Sequence, residues 1–301
     1  MSGKIAVLKG GWSPEREISL LSGKEIAKKF MSLGYEVAEI DVIKDLRFIT
    51  NALYEANPDY IYVALHGIGG EDGVIQGLLE IFGKPYSHSG VLGSAVAFDK
   101  SVCKIIAQSC GILVPDGFEI SKNDFKTLQY NDYPFVIKPC SNGSSIGVFV
   151  IHNEEELLKV QTNEWEFGNE IIVEKFIPGR EFTIMIIDGV ARGSLEVVPK
   201  HEFFDYASKY DDGGAYHVHK HGIPRDVTDM AHRAAEKIYK ACRCSGVSRA
   251  DFRYDGENMY FLEINSQPGM TEVSLCPDIA SSSSISFEEM NCFWMRKKQG
   301  E

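Results

Sequence analysis

Arg249-Ala250-Asp251-Phe252 and Phe261-Leu262-Glu263-Ile264-Asn265, separated by the turn Asp255-Gly256-Glu257-Asn258, are the stretches on which the reading of this chain turns. Polar and apolar residues largely alternate through both, as in half-buried strands, and a glycine turn between two such runs lets them pair as a hairpin. Residues two apart on a strand share a face, so Arg249 and Asp251 point one way together, as do Glu263 and Asn265. Two carboxylates and an amide oxygen beside a guanidinium make a hard-oxygen set suited to Mg2+, which nucleotide enzymes share between a few carboxylates and the substrate phosphates. Ordinary strands with solvated charges show the same alternation, so the hairpin alone leaves both readings open.

Upstream, Phe135-Val136-Ile137-Lys138-Pro139 reads as a strand, followed by the Gly- and Ser-rich loop Ser141 to Gly147 and a further strand, Val148 to Ile151. No G-K-[ST] opens a helix here, which excludes a Walker arrangement. Lys138 is placed to meet phosphate oxygens while the loop's N–H groups cover them, and glycine permits that close approach. A surface loop beside a solvated lysine is the plainer alternative.

Further out, the run Lys4 to Leu8 breaks at Gly10-Gly11 before the helical stretch Glu17 to Leu33. Tyr35 to Val42 and Tyr60 to Leu65 read as strands around a helix from Leu46 to Ala56 that stops at Asn57-Pro58. This alternation predicts a parallel sheet with ligands at the carboxyl ends of its strands, where His66-Gly67-Ile68-Gly69-Gly70-Glu71-Asp72-Gly73 lies. A second unit begins near Phe98-Asp99-Lys100 with a helix to Cys110, and Glu170 to Phe176 is β-like. From Glu181 onward strands dominate: Phe182 to Ile187, Ala191 to Val198, Ser248 to Tyr254 and Met259 to Ile264. Phe204 to Pro224 reads as an irregular loop, Val227 to Cys244 as a helix, and Ser281 to Ser284 as a serine tract in a loop. The expected division is 1–98, 99–180 and 181–301.

The chain has 301 residues, 44% of them hydrophobic, and a formal charge of −12. That size supports two or three domains. The acidic balance argues against nucleic acid, whose binders carry a basic face, though a few clustered Lys and Arg suffice for a nucleotide. Seven cysteines without a paired C-x-x-C spacing fit reduced thiols in a reducing cytoplasm; Cys242 and Cys244 are only C-x-C. No signal-peptide h-region is visible and no apolar run is long enough for a membrane span, so no membrane association is expected.

Several further motifs occur in order. Gly10-Gly11-Trp12-Ser13-Pro14-Glu15-Arg16-Glu17-Ile18-Ser19 comes first, then His66-Gly67 with Gly70-Glu71-Asp72-Gly73 and Gln76-Gly77. Lys138-Pro139 with Gly143-Ser144-Ser145-Ile146-Gly147 and Phe204-Asp205-Tyr206 with Lys209-Tyr210 follow, and Glu263-Ile264-Asn265 with Pro268-Gly269-Met270-Thr271 and Ser274-Leu275 closes the series. Together they resemble the D-alanine–D-alanine ligases, a family with the ATP-grasp fold. The match runs from residue 4 to about residue 290, and spaced motifs in order are far more specific than any one glycine pattern.

The resemblance implies an α/β protein of three domains: an N-terminal parallel α/β unit, a central α+β ATP-binding unit and a C-terminal α+β unit with the metal site. It implies ATP and two Mg2+ ions, with Mn2+ able to substitute, as cofactors, D-alanine as substrate, and a homodimer joined through the amino-terminal domain. By matching position, Lys100 and Lys138 would touch the ATP phosphates under Ser145, Glu174 and Glu181 would hold the adenosine part, and Phe176 and Ile177 would flank the base. Asp251, Glu263 and Asn265 would ligate the metals. Glu15, assisted by His66, would hold the first D-alanine's ammonium, and Ser274 and Leu275 the second one's carboxylate. Ser144 and Tyr210 would be hydrogen-bonded to Glu15, Lys209 would join the substrate site, and Arg249 with the N–H of Gly269 would stabilise the tetrahedral oxyanion. Ser141 to Gly147 and Phe204 to Pro224 would then act as lids.

The chain departs from the family after Tyr210, where His217, His219 and His221 alternate and a common proline–alanine pair is missing. Those histidines fit either a metal site or a solvated loop. Tyr210, in its Lys-Tyr setting, favours the dipeptide over D-alanyl-D-lactate, for which relatives use a histidine there. The alternatives are a related ligase using D-lactate or D-serine second, or a non-catalytic nucleotide-binding protein. At the end of the chain, Phe293 and Trp294 are expected in a helix packed on the protein's own core.

Overall fold

The computed structural model describes residues 3–199, 215–271 and 273–291. In the first stretch β1 (Lys4–Gly10) runs parallel to both β2 (Glu36–Val42) and β3 (Tyr60–Val63), in the order β2-β1-β3. Ile5 to Leu8 are almost wholly buried on both faces, which is why this strand reads as an unbroken apolar run. Helices α1 (Arg16–Ser32) and α2 (Leu46–Ala56) connect the strands. Helix α2 starts where the Asp45 carboxylate accepts from Phe48 N–H at 3.0 Å and stops at left-handed Asn57. Two further helices, α3 (Val74–Phe82) and α4 (Val91–Phe98), occupy chain that the sequence reading left unassigned.

Helix α5 (Lys100–Ser109), capped by Asp99, leads into β4 (Gly117–Ser121), α6 (Lys122–Phe125), β5 (Phe135–Pro139), β6 (Phe149–Ile151), α7 (Glu154–Thr162) and β7 (Glu170–Lys175). These strands form an antiparallel sheet in the order β4-β7-β5-β6. The third sheet, also antiparallel, is drawn from β8 (Arg180–Ile187), β9 (Val190–Pro199), β10 (Ala215–Val218), β11 (Val247–Tyr254) and β12 (Met259–Asn265), in the order β10-β9-β8-β11-β12. Helix α8 (Arg225–Ala241) precedes β11, and α9 (Leu275–Ser282) and α10 (Phe287–Asn291) close the described chain.

Three expectations change. The segment expected to be irregular up to Pro224 contains β10, an edge strand whose Tyr216 and His217 pair with Val198 and Val197 of β9. The serine tract is only partly loop, because Ser281 and Ser282 are the last residues of α9. Helix α8 starts directly after Pro224 and ends before Cys242, a shift toward the N-terminus that fits proline's preference for helix starts.

Packing sets the cleft. One face of the first sheet (Ile5, Val7, Tyr60, Tyr62) shares a core with Met185, Leu195 and Val247 of the third sheet and Ile279 of α9. The second sheet has a core of its own, built from Phe135, Ile137, Ile171 and Val173 with Phe125, Leu157 and Trp165. Side chains alternate along β5 and β7, so Val136 and Lys138 of β5 and Glu174 of β7 turn the other way, into a cleft shared with the third sheet.

Candidate active site

The walls of the cleft bring together every residue expected at the nucleotide: Lys100, Lys138, Ser145, Glu174, Phe176, Ile177 and Glu181. Asp251 and Glu263 line its other wall. They are direct partners across the β11–β12 ladder, as are Arg249 and Asn265, so the four residues quoted first do converge. Asn265 lines an adjoining recess together with Glu71, Gly143 and Ser266, and that recess shares Lys100, Asn142 and Glu263 with the cleft.

Each carboxylate here already carries cations. Arg249 grips Asp251 through Nε (2.9 and 3.2 Å) and Nη2 (2.7 Å), and Thr183, its cross-strand neighbour on β8, donates to the same carboxylate at 2.5 Å. Burial works against the Arg249 cation, but Asp251 outweighs it and raises the arginine pKa. The Lys100 ammonium lies 3.3 Å from Glu263 and donates to the carbonyl of Asn142. Glu174, 3% exposed, sits between two lysines: Lys138 at 2.6 Å on one oxygen and Lys104 on the other. Burial pushes the Lys138 pKa down to about 8, with Glu263 opposing and Lys100 reinforcing the shift.

The base-flanking positions also have company. Arg253 stacks over the Phe176 ring at 5.1 Å and reaches Glu181 at 3.7 Å. The sequence reading missed Arg253, although it continues the Arg249, Asp251 alternation on β11. It missed Lys104 too, one helical turn after Lys100 and so on the same side of α5. Thr183 carried no local signal, because only the β8–β11 register brings it to Asp251.

Glu15 and the glycine-rich loop meet although Ser144 lies 129 residues further along the chain. The Ser144 hydroxyl donates to Glu15 Oε1. A Cβ at Gly143 would lie 2.7 Å from Glu15 Oε2, so any other residue there would require the Glu15 carboxylate to shift. Ser144 and Ser145 adopt positive φ (54° and 56°), each a left-handed conformation costing roughly 1–2 kcal/mol. Such strain persists where surrounding contacts impose it, often at functional sites. His66 stands behind Glu15, with Nε2 3.1 Å from Ser22 Oγ and Nδ1 3.7 Å from Glu71 Oε1. Burial lowers its pKa, but Glu71 and Glu15 together outweigh burial and leave it raised.

Gly269, Ser274 and Leu275 form a separate group at the head of α9. There Ser274 Oγ caps Thr271 N–H at 3.1 Å and would lie 2.9 Å from any Cβ at position 269. Lys209, Tyr210, Phe293 and Trp294 lie outside the described residues.

Asp251, Glu263 and Asn265 suit a hard divalent cation, being two carboxylates and an amide on facing strands. The Asn265 side-chain N–H2 is buried without a hydrogen-bond partner among the described residues. His217 and His219 do not assemble a metal site. Both turn onto one carboxylate, Asp278 of α9, at 2.6 and 3.1 Å, while His221 packs edge-on against Phe182. Among the described residues no cluster of three His, Cys, Asp or Glu is arranged for a metal, and Cys242 lies 3.7 Å from Cys103 as a buried thiol pair. No helix among them is long and apolar enough to cross a membrane.

Two antiparallel sheets closing on a cleft lined with lysines and carboxylates, with a glycine-rich loop at its mouth, define the ATP-grasp class. The family model for the D-ala D-ala ligase C-terminus matches residues 107–291, more than half of the chain. The D-alanine–D-alanine ligase of Wolbachia pipientis wMel is 45% identical over 292 residues, covering 95% of this chain and 91% of that protein. The crystal structure of the Bacillus anthracis D-alanine–D-alanine ligase complexed with ATP superposes with a TM-score of 0.82 at 31% identity, covering 100% of both chains. The VanG D-Ala:D-Ser ligase of Enterococcus faecalis is more distant, with a TM-score of 0.77 at 26% identity over 96% of this chain and 97% of that one. The chain belongs to the D-alanine–D-alanine ligase family.

Proposed function

We propose that this protein joins two D-alanine molecules at the expense of ATP, forming D-alanyl-D-alanine for peptidoglycan precursors. The observation that carries the reading is the facing pair Asp251 and Glu263 on one wall of a cleft whose other wall presents Lys138 and the nucleotide-flanking residues. Two Mg2+ ions held by Asp251, Glu263 and Asn265, or Mn2+ in their place, would offset charge at the triphosphate.

The chain's own groups account for the rest. Phe176 and Ile177 flank the base, Glu174 and Glu181 border the adenosine, and Lys100 and Lys138 hold the phosphates beneath Ser145. Glu15, oriented by Ser144 and backed by His66, holds the ammonium of the first D-alanine so that its carboxylate faces the γ-phosphoryl group. Oxide is a poor leaving group. Transfer of that phosphoryl to the carboxylate releases ADP and gives an acyl phosphate. The amine of the second D-alanine, whose carboxylate Ser274 and Leu275 receive, then attacks the activated carbonyl. Arg249 and the Gly269 N–H stabilise the tetrahedral oxyanion, each such donor being worth about 3 kcal/mol of barrier, before phosphate departs. Acyl phosphates hydrolyse in water, which gives the strained 141–147 loop, and Lys209 and Tyr210 beyond it, a role in covering the site.

The test is ADP formation with Mg2+ and D-alanine, compared with L-alanine, D-lactate and D-serine. D-alanine alone is expected to give full turnover. Strong turnover with D-lactate or D-serine as the second substrate and little with D-alanine at neutral pH would move the assignment to that ligase. Absence of ADP with every substrate would leave a nucleotide-binding protein. A homodimer joined through the 1–98 unit belongs to the same reading, and sedimentation of the purified chain tests it.

A further inference from the structure

We infer that Lys104 is the resident partner of Glu174, whose presence frees Lys138 to engage a nucleotide phosphate. The inference rests on the nucleotide-binding reading of the cleft, and it assigns a positioning residue that does not itself line that cleft.

Helix α5 presents two amines on successive turns, each aimed at a different carboxylate: Lys100 at Glu263 and Lys104 at Glu174. The two contacts differ in setting. Glu263 has a side chain 23% exposed, whereas the Glu174 side chain is 4% exposed and those of Lys104 and Lys138 are 9% and 8%. Glu174 and its two lysines are therefore a buried charge group, in which the loss of a partner is expensive.

Lys138 lines the cleft and sits 2.6 Å from Glu174 Oε1. To donate to a phosphate it must give up part of that contact. A buried carboxylate stripped of its only cation is strongly unfavourable, enough to cancel a lysine–phosphate contact. With Lys104 on Oε2 from behind, Glu174 keeps a partner throughout, and the exchange of Lys138 from carboxylate to phosphate is close to neutral. Burial and then the neighbouring Lys138 lower the Lys104 pKa well below that of a free lysine, while the Glu263 carboxylate works the other way. Incoming phosphates raise the proton affinity of nearby amines, which favours Lys104 as the ammonium when the exchange takes place.

The experiment is calorimetric binding of ATP with Mg2+, without D-alanine, to the full chain and to Lys104→Met, Glu174→Gln and the double variant. Lys104→Met should weaken binding about tenfold or more, because Glu174 then retains Lys138. In the Glu174→Gln background no carboxylate needs a partner, so adding Lys104→Met should change affinity by less than about threefold. Wild-type affinity in Lys104→Met, or a further loss of about tenfold in the double variant, overturns the proposal, the latter because Lys104 would then serve the nucleotide directly. If Lys104→Met does not fold, the comparison of Glu174→Gln with the double variant decides by the same criterion. Failure of the unmodified chain to bind ATP would sink the reading of the cleft instead, so the two failures are distinct.

Discussion

The parallel sheet β2-β1-β3 and the antiparallel sheet β10-β9-β8-β11-β12 supply chemistry in different ways. Strand β1 is buried on both faces, so the groups that the first sheet contributes, Glu15 and His66, sit on loops beyond the ends of its strands. Strands β11 and β12 each set an apolar face against a charged one. Ala250, Phe252, Phe261 and Ile264 go to the core, and Arg249, Asp251, Glu263 and Asn265 stand on the face that remains. Groups on a ladder are fixed by register, whereas groups on loops depend on contacts such as that of Ser144 with Glu15. Damage to the ladder should therefore abolish chemistry with the fold intact, and damage to the loops should loosen substrate binding.

The sharpest break of that contrast is Glu263→Gln. It should lower turnover about a thousandfold while the thermal midpoint holds, since the partly buried carboxylate is replaced by its isostere. Full activity would remove the metal role of the β11–β12 face. The Lys138 proton offers a second handle. With its pKa lowered to about 8, the cation that phosphates require is lost as pH rises through 8, so ATP affinity of the free protein should fall about tenfold from pH 7 to pH 9. The sign for stability is opposite. The unfolded lysine keeps its proton to a higher pH, so burial of this group destabilises the nucleotide-free fold fully below pH 8 and progressively less above it. Titrations of Lys138→Met should lose both trends.

On the loop side, Ser144→Ala removes one hydrogen bond to a carboxylate, worth about 1.5–3 kcal/mol. It should raise KM for the first D-alanine about tenfold or more and leave ATP binding unchanged. An equal loss in ATP binding would mean that the loop serves the nucleotide instead. The smallest effect is expected at Asp278→Asn. There two partly exposed histidines lose their carboxylate, and denaturant unfolding should register a loss under about 1 kcal/mol with turnover preserved.

The elements most legible in the sequence were those whose pattern is local. Helix α2 has its cap, its apolar period and its stop at Asn57-Pro58 in consecutive residues, and its bounds were read correctly. Strand β4 was not recognised, although Phe118 and Ile120 alternate with Gly117, Glu119 and Ser121: the run is short and largely exposed, and it is a strand by virtue of pairing with β7. Strand β10 was hidden by the Asp, Gly and His around it, although Tyr216-His217-Val218-His219 does alternate, and it is held by β9 on one side and by Asp278 beneath. Helix α7 went unassigned despite Asn153 at its N-cap and three glutamates in its first turn.

By itself the sequence determined the periodicities, the pairs Arg249 with Asp251 and Glu263 with Asn265, and the ordered motifs that mark the family, because side-chain direction along a strand or helix follows from spacing alone. The tertiary structure decided which carboxylate meets which cation: Asp251 across from Glu263, Glu174 between Lys104 and Lys138, and Ser144 against Glu15. Register and the approach of separate sheets are set by burial summed over the whole molecule. No spacing within one element records that sum.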